Sequence, residues 1–165
     1  MLHKQVGNAQ NYTISDWQRE VGLAVTAHID AFALNIAYGD GRSPPVLEKA
    51  FQAVQGTSFK LFFSFDYAGG IGPWPQVAVQ SLCDQYFGNA GYYRYNGKPF
   101  VSTFEGPDNA ADWKSIKAKT GAFFVPDYSS KGAKDAMQAG GGGVVDGLFS
   151  WAAWPWGNRD MDTYV

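Results

Sequence analysis

The sequence predicts a parallel α/β fold, an incomplete (β/α)8 barrel with about six of its eight βα units. Three observations predict it. Short apolar runs alternate with amphipathic helical segments almost without a break. The runs are near-continuously apolar, as strands covered on both faces are, and do not alternate like half-exposed ones. The chain has 165 residues, where a complete barrel of this kind needs about 250. Residues 1–165 therefore read as one domain, the first three-quarters of a barrel, with its first and last strands at an open edge.

The strands are expected at residues 30–37 (DAFALNIA), 59–67 (FKLFFSFDY), 99–104 (PFVSTF), 122–126 (AFFVP) and 144–151 (VVDGLFSW). Residues 1–7 read as the remnant of an earlier strand. Helices fill the gaps. Ser15 opens one with a capping-box spacing to Gln18, and Trp17, Val21, Ala24 and Val25 recur at helical spacing. Ser43 with Pro44 and Pro45 opens a second, whose inward face is Leu47, Ala50, Phe51 and Val54. Pro75 opens a third, with Val79, Leu82 and Cys83 inward. Asp108 or Asn109 caps a fourth carrying Trp113 and Ile116. Ser129 or Ser130 caps a short fifth carrying Ala133 and Met137.

Composition narrows the function. Hydrophobic residues make up 45% of the chain and aromatics 16%. The first figure marks a globular chain, and the second is high, reading either as a large aromatic core or as a surplus that lines a site for ligands with flat apolar faces, such as a sugar ring. The net charge is −2 and no Lys/Arg run occurs, so neither nucleic acid nor an anionic membrane is an expected partner. No apolar stretch approaches the roughly 18 residues of a membrane span. The single cysteine, Cys83, falls on a helix and reads as a buried structural thiol. No signal peptide is visible in residues 1–7. Two histidines are too few for a usual zinc site, and no metal or organic cofactor is expected. Gly140–Gly143 precede a strand and lack the phosphate-loop pattern, so they read as a connection.

In a barrel of this type, chemistry sits on the loops after the carboxyl ends of the strands. That rule sorts the acids. Asp30 and Asp146 stand at strand beginnings, on the face that serves stability. Asp16, Glu20, Glu48 and Asp112 lie on helices. Asp66, Glu105 and Asp127 each close an apolar strand, and their side chains should converge on one cleft. Glycosidic bonds are cut by two carboxyl groups, one protonating the leaving oxygen and one activating water or attacking the sugar. Tyr67 and Tyr128 follow two of these acids. Trp151, Trp154 and Trp156 follow the last strand, where an indole has a sugar face or the barrel mouth to cover. Asn11-Tyr12-Thr13 matches an N-glycosylation sequon, and its place after the first strand makes substrate contact an equally good reading.

Several segments together resemble glycoside hydrolase family 71, the α-1,3-glucanases or mutanases. They are H-x-x-x-G-N at 3–8, N-Y-T and D-W within 11–17, and I-D-A-F-A-L-N at 29–35. F-S-F-D-Y at 63–67, G-K-P-F-V-S-T-F-E-G at 97–106, F-F-V-P-D-Y-S-S at 123–130 and V-D-G-L-F-S-W-x-A-W-P at 145–155 complete the set. The resemblance implies a (β/α)8 catalytic domain, an inverting mechanism, no cofactor, and an extracellular full-length parent acting on α-glucan polysaccharide. It places one proposed essential aspartate, Asp66, in this chain, and makes Glu105 and Asp127 supporting or subsite acids, with Glu105 the second choice for a catalytic role. Position after strand ends, together with the matched motifs, marks His3, Asn11, Tyr12, Asn35, Tyr67, Asp127, Tyr128, Trp151, Trp154 and Trp156 as candidate substrate-binding residues. Family members carry a further W-N-D-Y-G-E-type motif beyond this C-terminus, so the chain alone is expected to have little activity. A truncated product that binds glucan without cutting it stands as the alternative. A different sugar-active barrel is weakened by the absence of a D-x-x-D-x-D-x-E motif.

Overall fold

The computed structural model describes residues 2–150. Its spine is a parallel sheet of β1 (Leu2–Gln5), β2 (Ala31–Ala37), β3 (Lys60–Asp66), β5 (Lys98–Phe104) and β6 (Phe123–Phe124), each beside the next in that order. A short strand β4 (Arg94–Tyr95) pairs antiparallel with β5. Helices α1 (Ile14–Thr26), α2 (Ser43–Ala53), α3 (Gln76–Tyr86), α4 (Asp112–Thr120) and α5 (Ala133–Gln138) occupy the connections. This is the incomplete parallel α/β barrel that the apolar runs predict.

Register assigns the two faces of the sheet. Phe63 meets Phe51 of α2 and Tyr86 of α3, while Phe65 and Phe124 meet Trp113 of α4. These residues therefore face the helices. Side chains alternate along a strand, so Asn35, Ser64 and Ser102, aligned across β2, β3 and β5, face the barrel interior. The core between sheet and helices is strongly aromatic. Trp17 and Trp113 are both fully buried, and the Trp113 and Phe124 rings stack with centroids 3.9 Å apart.

Helices α1 to α4 keep most of their predicted faces, except that Val25 of α1 is 48% exposed, but not all the helices keep their predicted starts. α1 is capped by Thr13, two residues before the expected Ser15. The Thr13 hydroxyl accepts from the Asp16 N–H, and Asp16 accepts from the Thr13 N–H and hydroxyl at 2.9 and 2.7 Å. A charged carboxylate in the first turn serves both the orphan N–H groups and the helix dipole, which Gln18 could not. Asp108 and Asn109 cap nothing: they lie in a 3-10 turn, Pro107–Asn109, and α4 starts after Ala111. α5 starts after Gly132, and its inward residue is Ala136, not Ala133 or Met137. The serines expected to cap it are engaged elsewhere, as described below.

Two strand-level differences also stand out. Residues 93–98 form a hairpin through Asn96 and Gly97, whose φ values of 49° and 77° are those of a type I′ turn. Residues 144–150 run beside β6 without forming a regular ladder. Asp146 N–H donates to the Phe124 carbonyl and Phe149 N–H to that of Pro126. The Asp146 carboxylate also accepts the Phe124 N–H at 2.8 Å and pairs with Lys117 at 2.7 Å. Asp146 thus holds the sheet edge, the structural role its position at a strand beginning suggests.

At the amino ends of β3 and β5 the strands diverge, and Tyr92-Tyr93 fills the gap. Leu61 N–H donates to Gly91 and its carbonyl accepts from Tyr93, whose own carbonyl accepts from Phe100. The buried Tyr92 hydroxyl then accepts from the Phe63 N–H at 3.1 Å and donates to the Phe100 carbonyl at 3.0 Å. A side chain supplies what the missing ladder rung would have supplied. Tyr92→Phe leaves that N–H and carbonyl buried and unpaired, and should lower the unfolding free energy by about 2–4 kcal/mol in urea denaturation, with the slope unchanged.

Candidate active site at the carboxyl ends of the strands

Parallel pairing carries the strand ends to one level. Ala37 of β2 aligns with Asp66 of β3, Asp66 with Phe104 of β5, and Phe104 with Asp127 in an isolated bridge beyond β6. Asp66 and Asp127 thus stand in one row on the barrel-interior side, two strand spacings apart, about 10 Å at the backbone. Glu105 is the next residue after Phe104. All three acids expected at strand ends are at the same end of the sheet.

Each is held differently. One oxygen of Asp66 accepts the Ala68 and Gly69 N–H groups, both at 2.9 Å, an Asx-type turn that starts the glycine-rich 68–73 loop. Glu105 has a left-handed backbone, φ 54°, and its N–H donates to the Asp127 carbonyl at 2.8 Å. Its carboxylate takes two donors from one residue: the Ser130 N–H at 2.8 Å and the Ser130 hydroxyl at 2.6 Å. Asp127 is buried and accepts the Ser129 hydroxyl at 2.7 Å. The consecutive serines that the sequence offers as helix caps therefore hold two acids from neighbouring strands. A non-glycine residue in left-handed geometry costs of order 1–3 kcal/mol and persists where its surroundings over-determine it. Here the strand pairing and Ser130 do so.

Tyr67 and Tyr128 each follow an acid and so point to the other side of the sheet. Both are buried. Gly106 makes room for Tyr67: a Cβ on Gly106 would lie 2.5 Å from the ring's Cγ, at φ 86°. The Tyr67 hydroxyl and the Trp113 indole N–H are buried close to each other, and the Tyr128 hydroxyl is buried without a hydrogen-bond partner among the described residues. Burial is the main cause pushing both tyrosines above their ordinary ionisation range, and for Tyr128 the charge of Glu105 adds to it. The two rings lie beneath the acids, where sequence reasoning expects exposed sugar contacts.

The remaining expected residues are spread more widely. Asn35 is buried in the interior row with Ser64 and Ser102, directly below the level of the acids. His3 lies in β1, in register with Ala33. Asn11 is exposed in the turn before α1. Tyr12 packs edge-on against Trp17, and its carbonyl accepts from Lys49 at 3.1 Å, so it ties α1 to α2. Trp151, Trp154 and Trp156 lie outside the described residues. Sequence reasoning missed Ser129 and Ser130 as ligands of the acids; their place directly after a strand-end Asp-Tyr pair is the available signal. Cys83 is buried, as expected, and burial pushes its thiol well up. Among the described residues no group of three or more His, Cys, Asp or Glu side chains is placed to hold a metal ion, and no helix is long and apolar enough to cross a membrane.

Comparison with known proteins finds relatives in sequence and in fold. The sequence profile described as glycosyl hydrolase family 71 matches residues 1–165. A mutanase of Penicillium rubens is 34% identical over 158 residues, covering 93% of this chain and 34% of the mutanase. The glucan endo-1,3-alpha-glucosidase agn1 of Schizosaccharomyces pombe is 33% identical over 177 residues, covering 98% of this chain and 40% of that enzyme. The chain thus spans between a third and two-fifths of the length of these relatives. Among solved structures, an endo-alpha-mannosidase of family GH99 from Bacteroides thetaiotaomicron superposes with a TM-score of 0.69 at 13% identity, over 91% of this chain and 49% of that one. That likeness concerns the fold.

Two outcomes follow from the packing. Gly106→Ala should destabilise the chain by about 2–4 kcal/mol, through a left-handed alanine and the clash with Tyr67, read as a fall in denaturation midpoint. Tyr67, Tyr92 and Tyr128 all keep their protons in the folded state past the pH at which an unfolded tyrosine ionises, about 10. Above that pH the unfolded state releases protons that the folded state retains. The tyrosines' contribution to stability should therefore be level up to about pH 10 and fall as pH rises beyond it, followed by denaturant midpoints from neutral pH upward.

Proposed function

The chain belongs to glycosyl hydrolase family 71, and on that premise we propose that it is part of an enzyme that hydrolyses α-1,3-glucan with inversion. The observation that carries the reading is the family match over the whole chain, with a mutanase and an endo-1,3-alpha-glucosidase as relatives. The acid row supports it from within. Asp66 and Glu105 are the catalytic pair, with Asp127 supporting them from the next strand. An inverting enzyme keeps its acid and base roughly 6.5–9.5 Å apart so that water fits between them and the sugar. Neighbouring strand ends are about 4.8 Å apart, and the two carboxylates are held by different segments, Asp66 by its own loop and Glu105 by Ser130, an arrangement compatible with separations of that order. Asn35 lies beneath as a hydrogen-bonding residue of the interior. His3, Asn11, Tyr12, Trp151, Trp154 and Trp156 complete the sugar contacts, and Tyr67 and Tyr128 set the floor under the acids. The substrate is an extracellular polysaccharide, and the enzyme acts outside the cell.

We further propose that the 165 residues alone have little activity. What supports this is that the curated relatives are two to three times longer than the part they share with this chain.

Release of reducing sugar from insoluble α-1,3-glucan tests both statements. A longer protein containing this chain should be active, and Asp66→Asn should lower its kcat by about 10³-fold or more. Activity that survives Asp66→Asn removes Asp66 from the mechanism. A longer protein inactive on α-1,3-glucan but active on another glucan overturns the substrate. Rapid turnover by the 165-residue chain itself overturns the second statement.

A further inference from the structure

The helical layer behind the sheet has a gap. α1 packs on α2, and α3 packs on α4, but α2 and α3 do not pack on each other in the same way. Between them lies an open groove of about 690 Å³, within the 300–1,000 Å³ usual for small-molecule sites. It lies on the opposite side of the sheet from Asn35, Ser64 and Ser102.

The walls of the groove are of one chemical kind. α2 and its end present Glu48, Gln52 and Gln55, and α3 and its end present Gln85, Tyr86 and Asn89. These are hydrogen-bonding groups at helical spacing, facing each other across the gap. Apolar CH faces lie between them, from the prolines that start α2 and from Leu82. No Lys or Arg lines it, so it has nothing to attract a phosphate, a nucleic acid or an acidic peptide. Neither wall has the continuous apolar strip that would anchor a peptide helix.

Tyr86 is the central feature. Its ring is held against Phe51 at 4.7 Å and edge-on to Phe63 at 5.4 Å, and it is only 9% exposed. It lines the groove, and no acceptor for its hydroxyl is found among the described residues. Burial and the charge of Glu48 both act to keep that hydroxyl protonated, hence a donor. At its upper end the groove meets an apolar notch of about 260 Å³, where the Trp74 and Tyr38 rings lie 5.2 Å apart. Pro44 and Leu82 line both.

We propose that this groove is a second carbohydrate-binding site, taking a neutral hexose oligomer. A sugar ring has apolar faces edged with hydroxyls that both donate and accept. Amide side chains donate and accept in turn, and aromatic and proline faces cover the sugar's CH groups. The oligosaccharide class is argued from the groove alone; that the oligomer is an α-1,3-glucan rests on the function proposed above. A second contact raises the effective concentration of an insoluble polymer at the cleft without any new contact to the scissile bond.

The test is a two-dimensional NMR titration of the 165-residue chain carrying Asp66→Asn, with soluble α-1,3-linked glucose oligomers and, separately, α-1,4-linked and β-1,3-linked ones. Shifts at residues 48–55 and 82–89 are expected with the α-1,3-linked oligomer. Gln52→Glu with Gln85→Glu, both exposed, should weaken that response tenfold or more while the shifts around residues 66–70 persist. Tyr86→Phe, which removes only the hydroxyl, should weaken it severalfold. A groove that responds to a different glucan and not to the α-1,3-linked one keeps the site and overturns the oligomer assigned to it, while the shifts around residues 66–70 report separately on the substrate of the cleft. A groove silent toward every oligosaccharide overturns the proposal, as does one that responds only to an added peptide.

Discussion

The shared register of β2, β3 and β5 decides where every acid of the cleft stands. Asn35, Ser64 and Ser102 align across the three strands, and two residues further on Ala37, Asp66 and Phe104 do the same. Side chains alternate with a period of two, so a slip of one residue in β3 would send Asp66 in among the aromatic rings beneath the helices and bring Phe65 out. The helix-facing set resists that slip. Phe63 fits between Phe51 and Tyr86, and Phe65 lies against Trp74 and Trp113. Burying such rings gains roughly 2–3 kcal/mol each relative to exposure, and an aspartate in their place would lose that and bury a charge. The core behind the sheet thus fixes the chemistry in front of it.

The same core fixes where the layer is loose. Tyr92 and Tyr93 enter between β3 and β5 at their amino ends, Phe51 and Phe87 pack against Tyr92, and Tyr86 packs on Phe51. These large rings fill the depth of the layer where α2 and α3 would otherwise meet. Aromatic fill at depth leaves a furrow at the surface, and exposed amides line it. The high aromatic content of the chain is thereby accounted for twice, once as core and once as the floor of a groove.

Much of the fold was legible. The apolar runs at 30–37, 59–67 and 99–104 are strands, because a run apolar on both faces has no other place than a covered parallel sheet. The helix faces carrying Trp17, Phe51, Cys83 and Trp113 are inward as their spacing requires. What failed were local contests. Thr13 with Asp16 and Ser15 with Gln18 are equivalent patterns on paper, and a charged acceptor wins at a helix dipole. The Tyr-Asn-Gly-Lys hairpin was overlooked although Asn-Gly is the strongest short turn signal. At the site, the strand-end position located the acids, but alternation alone should have warned that Tyr67 and Tyr128, one residue later, point into the helical layer. Ser129 and Ser130 were misread because a serine before a helix is a good cap in one dimension; only the fold brings Glu105, twenty-five residues earlier, within reach of Ser130.

That dipeptide divides the rim of the cleft into a part that tolerates change in loop length and a part that does not. Asp66 is anchored by the N–H groups two and three residues after it, so residues could be added further along the 68–75 loop without moving it. Asp127 and Glu105 both depend on the spacing from residue 127 to residue 130. One residue inserted there would release the Ser130 donors and leave a left-handed glutamate without its restraint. Lineages carrying this cleft should therefore vary freely in the length of the segment after β3 while keeping a fixed count between the buried aspartate and its second serine.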